Sequence, residues 1–238
     1  MPAASSPSGG KSKMALRPAI SYNLHKGNLR VAAPAIEPCT ETELRTYLKM
    51  GETELPDEPA LAFITMAREF IEEMTGLALI EQTWQLHLDR WPGYMDQWWD
   101  GVRETSITEL SSGPAKILTF PRMPLIEVLS VKVYDEADTE KEISVSSTFT
   151  VDAVSRPGRL SLKRGQFWPA ATRELKAICI EYTAGFGDSA ADVPATLRSA
   201  VLLFAAYIHE HRGECDMREA YEKSGANSLT STFAVRGL

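Results

Sequence analysis

Along the chain, the spacing of apolar positions changes twice, from helical to alternating near Gln82 and back to helical after Gly187. Before the first change, Thr40-Glu-Thr-Glu43 fits a capping box, in which hydroxyl and carboxylate satisfy each other's orphan backbone donors. Leu44, Tyr47 and Leu48 follow at helical spacing, and Gly51 is a natural stop. Asp57 can cap a second helix with Pro59 in its first turn. Phe63, Ala67, Phe70 and Met74 make one apolar stripe on it, Ile64 and Ile71 lie beside the stripe, and Thr75-Gly76 ends it. Glu72 and Glu73 sit in the last turn, the unfavourable end for acids. Either they face solvent or they pair with a neighbouring subunit's arginine.

From Gln82 the period is two. Trp84, Leu86 and Leu88 alternate with Gln85, His87 and Asp89, which predicts a half-buried strand with the apolar set facing inward. Further strands are expected at 116–120, 128–134, 149–154, 160–162 and 175–183, with turns at Asp135–Asp138, Pro157-Gly158 and Gly165. Short strands without helices between them imply antiparallel pairing in a small sandwich or open barrel. After Gly185-Phe-Gly187, Asp192 can cap a helix with Pro194 in its first turn. From 197 to 208 that helix is apolar around much of its circumference, so it is covered on several sides, and neighbouring subunits could supply part of the cover.

The pattern therefore predicts an α+β chain. A small helical body (37–81 and 185–212) carries an inserted, mainly antiparallel β domain (82–184). A basic extended arm (1–36) precedes them, and a polar tail (213–238) with spaced Leu229, Phe233 and Val235 follows. The first 30 residues are rich in Ser, Gly, Pro and Ala without periodicity, the composition of a segment with no fold of its own.

Composition sharpens this picture at three points. The 238 residues are 44% hydrophobic and can bury one good core, or a core and a satellite. The longest apolar run, 200–208, is too short for a bilayer, which takes ~20 residues. No apolar stretch follows Lys11, Lys13 and Arg17, which argues against a secretory signal. The three cysteines, Cys39, Cys179 and Cys215, form no metal or disulfide pattern and imply reduced thiols and synthesis in a cytoplasm. Most telling is charge. The net of −7 conceals an arm with Lys11, Lys13, Arg17, Lys26 and Arg30 and no acid. With five of the 25 bases there, the remainder holds 20 against 32 acids, a net of −12. Such a basic arm seeks an acidic partner.

Catalytic motifs are weak. Gly185-x-Gly187 lacks the remaining residues of a phosphate loop, and Asp188 and Asp192 would repel phosphate, so a turn is the simpler reading. His209-x-His211 puts two imidazoles on different helix faces. No nucleophile elbow or H-E-x-x-H is present. No catalytic, cofactor or metal residue is assigned. The loop Trp91-Pro-Gly-Tyr94-Met-Asp-Gln-Trp98-Trp99 is dense in aromatics and is either a lid folded over the sheet or a contact surface for protein or sugar.

Two segments about a hundred residues apart frame the insert. One is Ala67-Arg-Glu-Phe-Ile-Glu-Glu-Met-Thr-Gly76 running on through Leu79-Ile-Glu-Gln-Thr-Trp84 to Leu88-Asp-Arg-Trp-Pro92. The other is Tyr182-Thr-Ala-Gly-Phe-Gly187 followed by Val193-Pro-Ala-Thr-Leu-Arg-Ser-Ala200. Their order resembles the head–tail connector (adaptor) proteins of tailed bacteriophages, over roughly residues 36–212. The resemblance implies a non-enzymatic virion neck protein: a homo-oligomeric ring, twelve-fold, between the portal and a stopper or tail-completion protein. DNA would pass through its channel without sequence-specific binding, and no membrane would be involved. The family pattern transfers no contact residues, so these come from the residue patterns alone. Leu229, Phe233, Val235 and Arg236 are expected to dock on the portal, and Arg68, Glu72, Glu73, Arg198 and Phe204 to face ring neighbours. Trp91, Tyr94, Trp98 and Trp99 form the contact loop of an alternative reading, a β-sandwich module binding carbohydrate or peptide.

Overall fold

A computed structural model describes residues 26–92, 117–212 and 216–234. In chain order its elements are β1 (Lys26–Ala32), α1 (Glu41–Leu48), α2 (Asp57–Thr75), β2 (Gln82–Leu88), β3 (Ile117–Thr119), β4 (Leu125–Tyr134), β5 (Glu140–Ile143), α3 (Val145–Thr148), β6 (Phe149–Asp152), β7 (Arg159–Leu162), β8 (Ile178–Ala184), α4 (Ala195–Glu210), α5 (Met217–Lys223) and α6 (Ala226–Thr230). The fold is α+β, and every strand pairing is antiparallel. One sheet has the order β1-β2-β8-β4-β5 and the other β3-β7-β6.

The two sheets share one apolar core. Trp84, Leu86 and Leu88 of β2 face it as their alternation requires, beside Val131, Ile178, Ile180 and Tyr182, and opposite Leu118, Phe149 and Leu160 of the smaller sheet. A second core belongs to the helices: Leu44, Ala60, Ile64, Ala67, Ile71, Leu197, Val201 and Phe204. On α2 the buried face is therefore centred on Ile64 and Ile71. Phe63 and Phe70 flank it half-buried, and Met74 is exposed. The stripe legible in the sequence is one edge of the real face.

Three boundaries differ from the sequence reading. Residues 26–32, assigned to the arm, form β1 on the edge of the large sheet, because Asn28 and Arg30 find partners there: the Tyr182 hydroxyl donates to Asn28 at 3.0 Å, and Arg30 pairs with Glu69 at 2.8 Å. Residues 217–234, assigned to a tail unable to build a core, form α5 and α6. These bury Ala220, Tyr221, Ala226 and Thr230 against α4 and supply part of the cover its apolar circumference needs. Caps also shift. The Thr40–Glu43 capping box is present as read, but α1 stops at Lys49 in the left-handed region. Asp192 closes a capping box with Ser189 on a short 3-10 turn rather than capping α4.

The body and the sandwich are joined by three chain segments lying side by side. Gly76 ends α2 at φ 73, and Leu77 bridges to Met123. Ala78 N–H donates to Met123 O at 2.8 Å, Gly185 N–H to Pro124 O at 2.9 Å and Glu81 N–H to Gly187 O at 2.8 Å. Leu77 and Leu79 point into the helical core while Ala78 points into the sheet core. A Cβ on Gly185, whose φ is 150, would stand 2.6 Å from the Glu81 backbone, so only glycine permits this close approach. The Gly185-x-Gly187 pair is thus a packing turn.

Candidate functional site

With no catalytic motif in view, the candidate sites are the junction and the surfaces on either side of it. At the junction, Arg68 is 2% exposed and Glu72 4%. The Arg68 guanidinium donates to Glu37 through Nε at 2.7 Å and to Glu72 through Nη1 at 2.8 Å. The other Glu72 oxygen accepts from Leu79 N–H at 2.8 Å and from the Gln82 amide at 2.7 Å. One carboxylate therefore ties the end of α2 to the first residue of β2. Burial pushes the Glu72 carboxyl up, opposed by Arg68 and these two donors. Arg122, leaving β3, donates to Glu72 O at 2.6 Å and to Glu73 at 2.5 Å, and stacks over the Trp84 ring at 4.7 Å. These bonds tie the end of α2 to the start of β2 and to the segment that leaves β3, although the Gln82 Oε1 and Trp84 Nε1 atoms are buried there without a hydrogen-bond partner.

This arrangement corrects the expected ring-facing set. Arg68 and Glu72 spend their charges inside one chain. Phe204 is fully buried, 5.4 Å from the Phe70 ring and 5.5 Å from Tyr221, so it is core. Glu73 and Arg198 do lie at the surface, each with an intramolecular partner: Arg122 for the first, Glu43 at 2.5 Å for the second. The i,i+4 spacing of Arg68 and Glu72 was the available signal for their pairing. Nothing in the sequence pointed to Glu37.

The expected docking residues divide similarly. Leu229 and Phe233 pack half-buried on the helical core, beneath which the Tyr221 and Thr230 hydroxyls hydrogen-bond. Val235 and Arg236 lie outside the described residues. So do Lys11, Lys13 and Arg17 of the arm, whereas Lys26 and Arg30 belong to β1. Of the aromatic loop, Trp91 is 4% exposed. Its Nε1 donates to Pro169 O at 2.8 Å, and its ring stacks on Trp168 at 4.5 Å beside Phe149. Trp91 is thus an interior residue of the sandwich and not a contact; Tyr94, Trp98 and Trp99 lie outside the described residues.

An open cleft next to Trp168 is lined by Asp89, Arg90, Glu136, Arg173 and Glu174, with charges of both signs and no convergent donor set. Among the described residues no three His, Cys, Asp or Glu gather as metal ligands, and no helix is long and apolar enough to cross a membrane. His209 sits edge-on to Phe63 and His211 stacks on Tyr207, apart from one another. Several carboxylates serve caps and ion pairs. Asp152, for example, accepts from Ser155 and Arg159 to brace the β6–β7 turn.

No family model and no curated protein matches the sequence. Solved structures do. The chain is similar to one in the neck of an empty gene transfer agent particle computed with C6 symmetry, at a TM-score of 0.64 and 22% identity, covering 89% of this chain and 97% of that one. It is likewise similar to a chain in the virion of the native particle (TM-score 0.63, 22% identity) and to one in the native neck computed with C12 symmetry (TM-score 0.61, 23% identity), each with the same coverage. Over that span the chain shares their fold.

Proposed function

We propose that this protein is a structural neck component of a phage-like particle. Its copies close into a ring, twelve to the circle, that docks under the portal, extends the DNA channel and receives a stopper or tail-completion protein. The observation that carries this reading is the likeness to the neck chains, spanning 97% of their length and 89% of this one. Particles whose necks are computed with six- and twelve-fold symmetry favour a cyclic assembly here too. The junction suits such a part: a ring that transmits force between head and tail gains from a densely hydrogen-bonded link between body and sandwich. Outside 1–36 the chain carries a net −12, which repels phosphate and suits a channel that DNA crosses without sequence-specific contacts.

The test is the mass of the purified full-length protein, alone and mixed with the portal ring from the same particle. A ring, or a stoichiometric ring on the portal, is expected; single chains under both conditions would overturn the reading. The carbohydrate- or peptide-binding alternative is weakened by Trp91, which is consumed by the sandwich core.

A further inference from the structure

The two edges of the large sheet are treated differently. β5 is four residues long, and its Glu140, Lys141 and Glu142 are all exposed, with Glu140 paired to Lys132 at 2.8 Å. A short, charged edge is how a sheet avoids pairing with strangers. β1 is seven residues long, with Leu29 58% and Val31 51% exposed, and its one described charged side chain, Arg30, is turned back onto Glu69. Its ladder with β2 is regular from Lys26 to Arg30 and breaks only near Val31. Among the described residues nothing pairs with its outer edge. By length and composition β1 is an open edge that can accept another strand.

The sequence just before β1 supplies a strand of matching length. In Pro18-Ala-Ile20-Ser-Tyr22-Asn-Leu24, apolar Ile20, Tyr22 and Leu24 alternate with Ser21 and Asn23. Folding back onto its own β1 would need a tight reversal immediately before Lys26, which already pairs with Leu88. Such two-residue reversals depend on Asn-Gly, Asp-Gly or a leading Gly. Residues 22–26 read Tyr-Asn-Leu-His-Lys, and the nearest glycine, Gly27, is already inside the ladder. The segment is therefore suited to running on to another copy. Glu69 and Glu73 of α2 are exposed but already paired with Arg30 and Arg122 of their own chain, so the contact has to come from the strand itself.

We propose that residues 18–24 of one copy add as a strand to the outer edge of β1 in the adjacent copy. The inference rests on the ring reading and names the contact that closes the ring. Each copy gives one strand and accepts one, a head-to-tail contact that can be repeated around a circle.

The test uses the full-length chain and an Ile20→Pro/Tyr22→Pro variant, since proline removes the donors a ladder needs. Size is measured across a concentration series, together with hydrogen exchange of the 27–32 amides. The expected result is a wild-type ring with slow exchange that rises on dilution. The variant should need at least tenfold more protein to assemble, exchange faster at 27–32, and keep the wild-type circular dichroism. Rings that persist unchanged in the variant, with unchanged exchange, overturn the strand addition and leave the ring standing. Protection at 27–32 that is independent of concentration and lost in the variant means the segment pairs within its own chain, which also overturns it. A wild-type protein that never assembles overturns both readings.

Discussion

At the scale of single residues, the most consequential group is Arg68. It is buried with the carboxylates of Glu37, Glu69 and Glu72 around it, so removing it leaves Glu72 with no ion-pair partner in a site that burial already makes unfavourable for a charge. Breaking one side of a buried pair costs about 3–5 kcal/mol, and Arg68→Ala should lose that much in denaturant unfolding. Arg68→Met combined with Glu72→Gln removes both charges while leaving an amide oxygen for Leu79 N–H, and should cost clearly less. Equal losses would mean that Arg68 acts by packing alone. Glu43 governs a different response. The Thr40 N–H and the Arg198 guanidinium hold its carboxyl below the ordinary 4.5, against an opposing contribution from burial. A carboxylate with a lowered folded value contributes stability that is complete above its unfolded value and lost as pH falls through the folded one. Thermal unfolding of Glu43→Gln should therefore lose less on going from pH 5 to pH 3 than wild type does. The two described cysteines, Cys39 and Cys179, should be unreactive in the native state. Cys39 is buried and its thiol pushed up to about 12, chiefly by burial; Cys179 is buried too and also shifted upward. Alkylation at pH 8 followed by mass analysis should spare both until denaturant is added.

At the scale of elements, the two ends of the described chain give opposite forecasts from those that composition suggests. Deleting residues 2–25 should leave the fold intact, whereas extending the cut to Ala32 removes β1, strips β2 of a neighbour and leaves the Tyr182 hydroxyl without Asn28. Truncation after Gly225 removes α6 with buried Ala226 and Thr230 and should lower the unfolding midpoint, although the sequence presents this stretch as a dispensable tail. Both misreadings have one cause. Short elements such as β1, α5 and α6 have weak periodicity of their own and are held by tertiary contacts: Asn28 to Tyr182, and Tyr221 to Thr230. The strongly periodic elements were legible. The Thr40–Glu43 box, the helix ending at Gly76, the alternation of β2 and the glycines at 185 and 187 each report a local constraint that tertiary structure obeys. What stayed hidden was pairing at long range. Arg68, Glu72 and Phe204 look like surface or interface residues until Glu37, Gln82 and Tyr221 are brought to them. Gly185→Ala tests the tightest of the local constraints. Its Cβ would meet backbone at 2.6 Å, so the variant should unfold at markedly lower denaturant, whereas Gly165→Ala, with nothing within 4 Å and only its φ of 84 to strain, should lose less.

At the scale of the whole molecule, two cores joined by a dense hydrogen-bonded junction describe a part built to hold its shape. Its open features are surfaces: the β1 edge, the acidic side of α2, and the exposed Val154 and Phe167 on sandwich loops. The fold is the one shared with neck chains of the gene transfer agent particle. The most direct measurement is electron cryomicroscopy of the full-length protein bound to the portal of its own particle. The account predicts a closed ring of twelve copies, coaxial with the portal, its subunits matching the body and sandwich described above. A complex in which the protein sits off the axis as single copies, or no complex with the portal at all, would contradict it.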